Sequence, residues 1–387
     1  MVMKRVYLDY AATTPLDERV IQRMMPYWQD DYGNPSSIHW FGQKAEMVVE
    51  GAREQIADLL QADSDEIIFT SCGSESDNLA LRGMAYSQKL ERGADHILIS
   101  PVEHAAIAQT ARMLAKYDGF IVEYLPVDSL GRINPDDLKK YLRKTTAIVS
   151  VIYGNNEIGT INPIREIGDV CQRYGVAFHT DAVQAAAYLP MDVNVDCVDL
   201  MSLGAHKLYG PKGVGALFIR KGINLNPIIT GGKQEFGYRA GTSNVPLIVG
   251  FAEALILARQ ENEDRVRRIL PMRDEIIRSV LSEIPGSRLT GDSLHRLPNH
   301  ASFVFEGVDG NHLISLLDTA GFACSSGSAC KSGNPQPSDV LMGIGLSKEM
   351  ALGSLRVTLG KETTPTEIYD FLQILPGEVN KSHKSSR

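Results

Sequence analysis

The chain has 387 residues, and its 39 Lys and Arg against 47 Asp and Glu give a formal net charge of −8 at pH 7. Its 43% apolar and 22% charged residues are typical of a globular protein, and a length beyond the usual size of one core predicts two domains. The acidic balance excludes a protein that binds nucleic acid mainly by charge, and no apolar run is long enough for a membrane span or a signal peptide. A soluble, cytoplasmic protein that contacts neither nucleic acid nor membrane is expected.

The first two thirds of the chain alternate strand-like and helix-like segments. An extended entry at 7–15 precedes helical apolar spacing at 16–28 and 41–60. The strand-like runs that follow lie at 66–70, 96–100, 120–127, 146–153, 176–180, 199–203 and 214–219. Strands that alternate with helices predict an α/β fold with a mostly parallel sheet, and its active site should lie beyond the carboxyl ends of the strands.

The pattern changes near residue 245, where a long helical stretch begins. Strands at 301–305 and 355–359, with helices at 312–319 and from 366, predict a smaller α+β domain. The expected division is a large domain at 16–255 and a small domain formed by 1–15 and 256–378. Residues 379–387 lack an apolar anchor and are expected to be disordered. The five scattered cysteines predict free thiols, and no His and Cys cluster with the spacing of a metal site accompanies them.

Lys207 is the first candidate for chemistry. A short apolar run at 198–203 predicts a buried strand, and Gly210 and Pro211 break the chain beyond it. A lysine held at such a strand end can lose its proton and form a Schiff base with a carbonyl group. Taken alone, however, this fragment favours a surface lysine beside a turn.

Two further motifs bear on the interpretation of Lys207. Residues 69–78 run from a strand into a helix, with Gly73 at the turn and a capping pattern of Ser74 and Asp77. The free N–H groups suit a phosphate, although this motif taken alone favours an ordinary capped helix. Asp181 ends another predicted strand, either to pair with a cation or to cap a helix. A parallel sheet would bring Asp181 and Lys207 to one edge. An acid, an imine-forming lysine and a helix N-terminus are the parts that a pyridoxal 5'-phosphate site requires.

An ordered set of motifs now suggests a family. The set comprises YLDYAATTP at 7–15, GNPSS at 33–37, SESDN at 74–78, EH at 103–104, NNEIG at 155–159, DAVQ at 181–184, HK at 206–207, GT at 241–242 and SSGSAC at 325–330. Together these motifs resemble the pyridoxal-phosphate-dependent cysteine desulfurases of the NifS/IscS type, within the class V aminotransferases. The resemblance implies fold type I of pyridoxal phosphate enzymes, a homodimer, and conversion of L-cysteine to L-alanine with a persulfide left on the enzyme for a sulfur-acceptor protein.

The resemblance also implies roles for individual residues. Lys207 would form the imine with the cofactor, Asp181 would pair with the pyridine nitrogen, and His104 would stack on the ring and shuttle protons. Asn156 and Gln184 would bind the phenolic oxygen. The implied phosphate site comprises Gly73, Ser74, Ser202, His206 and, from the partner subunit, Thr242. Arg356 would bind the substrate carboxylate with help from Asn34, because a planar guanidinium suits bidentate binding.

Cys330 is the implied catalytic thiol. Small and turn-forming residues surround it in the sequence, which predicts a loop that can move between a buried sulfur atom and an external acceptor. Cys324, next to Phe322 and Ala323, is predicted to be a buried structural residue. Lys233 and Phe236 depart from the family pattern, which commonly has glycine and arginine there.

Two alternatives remain open from the sequence. Another class V enzyme, such as an aminotransferase or a selenocysteine lyase, would make Cys330 incidental. A catalytically inactive scaffold would bind acceptor proteins alone, which the presence of Lys207, Asp181 and His104 disfavours.

Overall fold

The structure, a computed structural model, describes residues 5–327 and 336–385. Its strands are, in chain order, β1 (Val6–Tyr7), β2 (Ile67–Thr70), β3 (His96–Ile99), β4 (Ile121–Tyr124), β5 (Thr146–Ser150), β6 (Ala177–Asp181), β7 (Leu200–Gly204), β8 (Gly215–Ile219), β9 (Ser287–Leu289), β10 (His300–Phe305), β11 (Phe322–Ala323) and β12 (Ser354–Thr358). Each strand-like run predicted from the sequence overlaps one of these strands, with bounds that agree to within a few residues.

The helices are, in chain order, α1 (Glu18–Met24), α2 (Pro26–Gln29), α3 (Trp40–Leu60), α4 (Gly73–Arg92), α5 (Ala105–Asp118), α6 (Pro135–Tyr141), α7 (Ile164–Tyr174), α8 (Val245–Gln260), α9 (Asn262–Glu283), α10 (Gly310–Thr319), α11 (Asp339–Gly343), α12 (Lys348–Leu352) and α13 (Pro365–Ser385). Within the described ranges, no helix combines the length and the hydropathy that crossing a bilayer requires.

Seven strands form the central sheet in the order β2-β8-β7-β6-β5-β3-β4. Strands β3 to β7 pair in parallel, whereas β8 is antiparallel to both β2 and β7. The mostly parallel α/β sheet predicted from the sequence is therefore confirmed. Strands β5, β6 and β7 are buried along their whole length, as expected for strands covered by helices on both faces.

Side-chain alternation along β2 divides the core into two layers. Ile67 and Phe69 join the cluster that includes buried residues of α3 and α8, while Ile68 joins the cluster that includes residues of α4 and α5. Successive side chains of a strand point to opposite faces, so three adjacent apolar residues bury both helical layers. This arrangement fixes the position of α4 against the sheet.

The C-terminal part contains a second, antiparallel sheet of order β12-β10-β9. Strand β1 pairs in parallel with β11, which ties the N-terminus to this part of the chain. The prediction that residues 379–387 are disordered is wrong for residues 379–385, because α13 continues to Ser385. Val379 is buried and the Ser382 hydroxyl donates a hydrogen bond to Asp309 O at 3.0 Å, so the last turns do have anchors.

Four site residues follow the carboxyl ends of neighbouring parallel strands. His104 comes after β3, Asn156 after β5, Asp181 at the end of β6 and Lys207 after β7. Parallel strands place their carboxyl ends along one edge of the sheet. The topology therefore gathers residues that are widely separated in sequence.

Candidate functional site

A cavity of about 320 Å³ opens at this edge of the sheet. It is lined by backbone and side chains from both parts of the chain. The lining residues are Ala11, Ala12, Cys72, Gly73, Ser74, Asp77, His104, Ile152, Asn156, Asp181, Val183, Gln184, His206, Lys207 and Arg356. Most of the residues predicted from the sequence are thus brought together.

The amine of Lys207 lies inside this cavity and has no carboxylate as a direct hydrogen-bond partner among the described residues. Its Nζ donates to the carbonyl oxygens of Ala11 and Ala12, at 2.7 Å each. Burial, and then the nearby Arg356 guanidinium, lower the pKa of Lys207 to about 8. An amine of this kind is partly unprotonated near neutral pH, so it can act as a nucleophile and a base.

Asp181 faces the same cavity from the end of β6. One of its oxygens accepts a hydrogen bond from Val183 N at 2.9 Å, and the side chain is buried. Burial raises the pKa of Asp181, while the facing His104 and Lys207 act in the opposite direction. Asp181 is therefore a buried acid whose charged form is favoured by the groups on its cavity side.

His104 both begins a helix and lines the cavity. Its Nδ1 accepts a hydrogen bond from Ala106 N at 3.2 Å, as the N-cap of α5. That bond leaves Nε2 as the ring nitrogen available for donation. Capping α5 through Nδ1 is thus compatible with a place for the His104 ring in the cavity wall.

The N-terminus of α4 differs from the sequence prediction. Ser74 and Asp77 do not cap it: the helix begins at Gly73, the N-cap residue is Cys72, and no side chain within 5–327 and 336–385 caps it by a hydrogen bond. The N–H groups of Gly73 and Ser74 have no partner among the described residues, so they can bind an anion at the positive end of a helix of 20 residues. A Cβ on Gly204 would lie 3.5 Å from Gly73 N, so Gly204 leaves open the space above that N–H group.

Arg356 enters the cavity from β12. Its Nη1 donates to Asn156 O at 2.9 Å and its Nη2 to Asp9 Oδ1 at 2.8 Å. The Nε atom and the Oδ1 atom of Asn156 are buried without a hydrogen-bond partner among the described residues. Buried polar atoms are normally satisfied, so both atoms are available to a polar ligand.

Gln184 and His206 complete the wall next to Lys207. The Gln184 amide donates to Ala11 O at 2.8 Å, and His206 Nδ1 lies 3.2 Å from Thr13 Oγ1. Burial, then Lys207 and Lys212, lower the pKa of His206 to about 4. His206 is consequently neutral at pH 7 and offers a hydrogen bond rather than a charge.

Three predicted residues do not line the cavity. Ser202 is buried on β7, where its hydroxyl lies 2.9 Å from His179 Nε2. Asn34 is exposed and its side chain accepts a hydrogen bond from Ser36 N at 2.9 Å. Thr242 is exposed on the surface of the chain. Within one chain, the structure therefore joins none of the three to Lys207.

Of the two cysteines singled out from the sequence, the structure describes only Cys324. Cys330 lies outside the described residues. Cys324 is buried as predicted, and burial, then Asp9, raise the pKa of its thiol far above the usual range. A thiol held in the protonated form is a poor nucleophile, so the structural role predicted for Cys324 is supported.

The sequence interpretation missed two acids in or beside the cavity. Asp77 lines it from α4, and Asp9 pairs with Arg356. Helical spacing held a signal for Asp77, because the residues three, four and seven positions later are Ala80, Leu81 and Met84. An acid on an apolar helical face is a candidate buried acid. Asp9, in an extended entry segment, has no comparable signal.

The segment that departs from the family pattern packs beside β2. Glu235 makes a buried ion pair with Arg53, 2.7 Å between Oε2 and Nη1, and also accepts a hydrogen bond from Phe69 N. Phe236 has a left-handed φ of 54° and its ring lies 5.0 Å from the Arg53 guanidinium carbon. Contacts to Arg53 thus hold this loop in a backbone conformation that phenylalanine rarely adopts.

The donor set of the cavity fits pyridoxal 5'-phosphate. The open N–H groups of α4 suit its phosphate, the buried Asp181 suits its ring nitrogen, and the Lys207 amine suits its aldehyde. The unsatisfied Oδ1 of Asn156 lies where a polar ligand atom would complete its hydrogen bonding. A lysine-anchored cofactor site, on an α/β fold with its ligands at the carboxyl edge of the sheet, defines the class.

Comparison with known proteins agrees with this class. The model of the class V aminotransferase family matches residues 6–371, and the chain belongs to that family. It is 47% identical over 380 residues to the protein named cysteine desulfurase IscS from Dictyoglomus turgidum, covering 98% of this chain and 96% of that one. The protein of the same name from Clostridium botulinum is 43% identical over 385 residues, with 99% and 96% covered.

A solved structure described as a NifS-like protein superposes with a TM-score of 0.90 at 35% identity, covering 97% of this chain and 100% of the other. A second, described as SspA in complex with cysteine, has a TM-score of 0.79 at 36% identity, with 91% and 98% covered. The resemblance to the NifS/IscS type, with its pyridoxal phosphate enzyme fold, is confirmed.

Proposed function

We propose that this chain is a pyridoxal 5'-phosphate-dependent cysteine desulfurase, which converts L-cysteine to L-alanine and leaves a persulfide on Cys330. The observation that carries the proposal is one cavity in which the Lys207 amine, the buried Asp181 carboxyl and the Arg356 guanidinium meet. The near full-length similarity to proteins named cysteine desulfurase supports it.

The cofactor would be held by Gly73 and Ser74 with His206 at the phosphate, by Asp181 at the ring nitrogen, by His104 at the ring, and by Asn156 and Gln184 at the phenolic oxygen. When bound, pyridoxal phosphate supplies an electron-accepting ring that stabilises negative charge at the substrate Cα. The ionised Asp181 carboxylate would keep the ring nitrogen protonated. This buried acid suits that role because Lys207 and His104 favour its charged form.

Substrate binding and proton transfer would use two residues that lie across the cavity. Arg356 binds the cysteine carboxylate with its planar fork of donors. The Lys207 amine removes the Cα proton and later returns a proton to the product. Its lowered pKa of about 8 suits a group that must both accept and release a proton near neutral pH.

The sulfur step would belong to Cys330. Its thiolate attacks the sulfur of the bound cysteine, an S–S bond forms, and the Cβ–S bond of the substrate breaks. The electron pair remains on the three-carbon fragment, which takes up a proton and leaves as alanine. The outer sulfur atom of the Cys330 persulfide then passes to an acceptor protein, for iron–sulfur cluster assembly or for thiolation of tRNA or cofactors.

We further propose that the enzyme is a homodimer. Large apolar side chains are exposed around the start of α3, notably Ile38, Trp40 and Met47, at 92%, 63% and 68% exposure. Large exposed apolar side chains gathered in one segment of the chain suit a protein interface. In such a dimer, Thr242 would reach the phosphate of the partner subunit, and Asn34 would approach a substrate carboxylate.

The two sheets support a division into a large cofactor-binding domain at 16–255 and a smaller domain formed by 1–15 and 256–378. Lys207 and Asp181 belong to the first and Arg356 to the second. Ser202 would be an alternative phosphate ligand only if its hydroxyl gave up the hydrogen bond to His179 Nε2. The free thiols and a reducible persulfide suit a cytoplasmic enzyme.

The test is product analysis with the purified chain and pyridoxal phosphate. L-cysteine with dithiothreitol should yield alanine and sulfide in equal amounts, and L-selenocysteine should be compared under the same conditions. Transamination with pyruvate or glyoxylate that exceeds alanine formation would instead establish an aminotransferase. If wild type develops no absorbance band from bound cofactor, and its spectrum is the same as that of Lys207→Ala, the chain is an inactive scaffold.

A further inference from the structure

A second carboxyl group lies beside Asp181 in the cavity. Asp77 is 1% exposed and Asp181 is 5% exposed. A carboxylate oxygen of each residue and one ring nitrogen of His104 all lie within 4.8 Å of one another. Two buried carboxyl groups at this separation do not both ionise, because neither solvent nor distance reduces their repulsion.

Asp77 is also incompletely hydrogen-bonded. Its Oδ1 atom is buried and has no hydrogen-bond partner among residues 5–327 and 336–385. A carboxylate left in this state is costly, since each oxygen of an ionised carboxylate needs donors. A protonated carboxyl group needs fewer hydrogen-bond donors around it than a carboxylate does, and its own O–H can donate a hydrogen bond.

The groups that face Asp77 do not favour its negative charge. From β6, His179 Nε2 lies 3.8 Å from Asp77 Oδ1, but the two ring nitrogens of His179 also bond to the hydroxyls of Ser150 and Ser202, at 2.9 Å each. Burial lowers the pKa of His179 to about 3, so the ring carries no charge at neutral pH. Asp77 therefore has no cationic neighbour at that side.

Three further neighbours of Asp77 disfavour its negative charge, and His104 lies within 4.8 Å of Asp77 and Asp181 alike. Burial, then Asp181, raise the pKa of Asp77 well above its usual value; the Ser202 hydroxyl opposes this, and Glu103 and Cys72 contribute in the same direction as Asp181. Glu103, before α5, is itself buried, with its pKa raised by burial. Asp181, by contrast, faces the Lys207 amine and accepts a hydrogen bond from Val183 N. One proton placed on this pair belongs on Asp77.

We propose that Asp77 is a neutral carboxylic acid at neutral pH, which holds the single proton of a buried Asp77–Asp181 pair and leaves Asp181 as its only anion. Asp77 is a positioning residue: by staying neutral it keeps one negative charge opposite the ring nitrogen of the cofactor. That last consequence rests on the proposed function, whereas the protonation of the pair is a property of the chain alone.

The test is infrared spectroscopy of the full-length chain without cofactor, in D₂O at neutral pH. Wild type should show the carbonyl stretch of a protonated carboxyl group, and the isosteric Asp77→Asn variant should lose that component. The matched control is Glu103→Gln, which should retain it. Retention of the full signal in Asp77→Asn would show that Asp77 is ionised and would overturn the proposal.

If Asp77→Asn does not fold, isotope labelling still tests whether a neutral aspartic acid, as distinct from a glutamic acid, is present. In wild-type chain made with aspartate labelled by ¹³C at its carboxyl group, the protonated carbonyl band of Asp77 should shift to lower frequency, while that of Glu103 should not. If every protonated carboxyl band keeps the frequency that it has in the unlabelled chain, there is no neutral aspartic acid and the proposal is overturned. Because neither measurement requires the cofactor or cysteine, failure of the desulfurase proposal would not change these results.

A pH series of unfolding by denaturant adds a thermodynamic readout. A carboxyl group whose pKa is raised in the folded chain contributes stability below its unfolded pKa of about 4, which is lost as pH rises through the folded pKa. The stability of Asp77→Asn relative to wild type should therefore increase with pH above about 4 and then level off. A difference that is constant with pH would mean that Asp77 has no raised pKa, and would overturn the proposal.

Discussion

Arg356 forms an ion pair with Asp9, with 2.8 Å between Nη2 and Oδ1, across the junction of the N-terminal segment and β12. Both side chains are largely buried, at 9% and 17% exposure. The ion pair holds Nη2 of the guanidinium in place, and Nη1 is held by its hydrogen bond to Asn156 O. The unsatisfied Nε is left for a ligand.

Arg356→Lys should weaken the binding of cysteine. Lysine keeps the charge but cannot donate to Asp9, Asn156 O and a substrate carboxylate in one plane. Loss of a charged hydrogen bond of about 1.5–3 kcal/mol corresponds to a rise in KM of roughly 10- to 100-fold. Steady-state kinetics measure it, with the exposed Arg267→Lys as the control; an unchanged KM would remove Arg356 from the carboxylate site.

Cofactor capture should report the titration of Lys207. The cofactor-free chain should bind pyridoxal phosphate faster as pH rises towards about 8, because the unprotonated amine reacts and the pKa of Lys207 is lowered to about 8. Stopped-flow absorbance follows the capture.

Two variants should move that midpoint in opposite directions. Arg356→Gln removes a cation and raises the pKa of Lys207, whereas Asp181→Asn removes an anion and lowers it. Lys207→Ala is the control and should show no covalent capture at any pH. Shifts in the same direction for both variants would contradict the assigned electrostatics.

Cys330→Ala and Cys324→Ala should separate the two thiols. Cys330→Ala should retain the cofactor absorbance and its change on addition of cysteine, but should release no alanine. Cys324→Ala should retain turnover, because the buried thiol of Cys324 stays protonated. Alanine analysis and persulfide trapping measure both; normal turnover of Cys330→Ala with dithiothreitol would refute its role as the sulfur acceptor.

Gly204 and Ser202 provide a paired test of the phosphate site. Gly204→Val should lower the affinity for pyridoxal phosphate by about tenfold or more, since its methyl groups would occupy the space above Gly73 N. Gly204→Ala is the control, because its Cβ makes only ordinary contacts, at 3.4 Å to Val183 Cγ1 and 3.5 Å to Gly73 N.

Ser202→Ala should instead reduce the free energy of unfolding by about 1–3 kcal/mol, the cost of leaving the buried His179 Nε2 without its partner. Equilibrium dialysis and denaturant unfolding distinguish the two effects. If Ser202→Ala weakens cofactor binding more than Gly204→Val does, Ser202 is the phosphate ligand.

Ile38→Asp should dissociate the proposed homodimer. A charge on a side chain that is 92% exposed in one chain is harmless to folding but costly when an apolar partner surface covers it. Analytical ultracentrifugation should show a dimer constant weakened by about tenfold or more. Leu90→Asp, at 78% exposure on α4, is the control and should leave the oligomeric state unchanged.

The sequence by itself determined the α/β alternation, the positions of the central strands and most of the cavity lining. Buried strands of four or five apolar residues are visible as short runs, and the parallel order places their carboxyl ends together. Asp181 and Lys207 could therefore be paired before any coordinates, because each follows a strand of that kind.

Only the tertiary structure decided which side chain around those strands performs which contact. Ser202 and Gly204 are two positions apart on β7, and the two-residue period of a strand places them on the same face. The Ser202 hydroxyl nevertheless bonds to His179, whereas Gly204 borders Gly73 N. The anchoring of α13 and the pairing of Asp9 with Arg356 depend on segments more than 70 residues away in sequence. The closeness of Asp77 to Asp181 depends in the same way on how α4 packs against β6, because local sequence sets the periodicity of each element but not which elements meet.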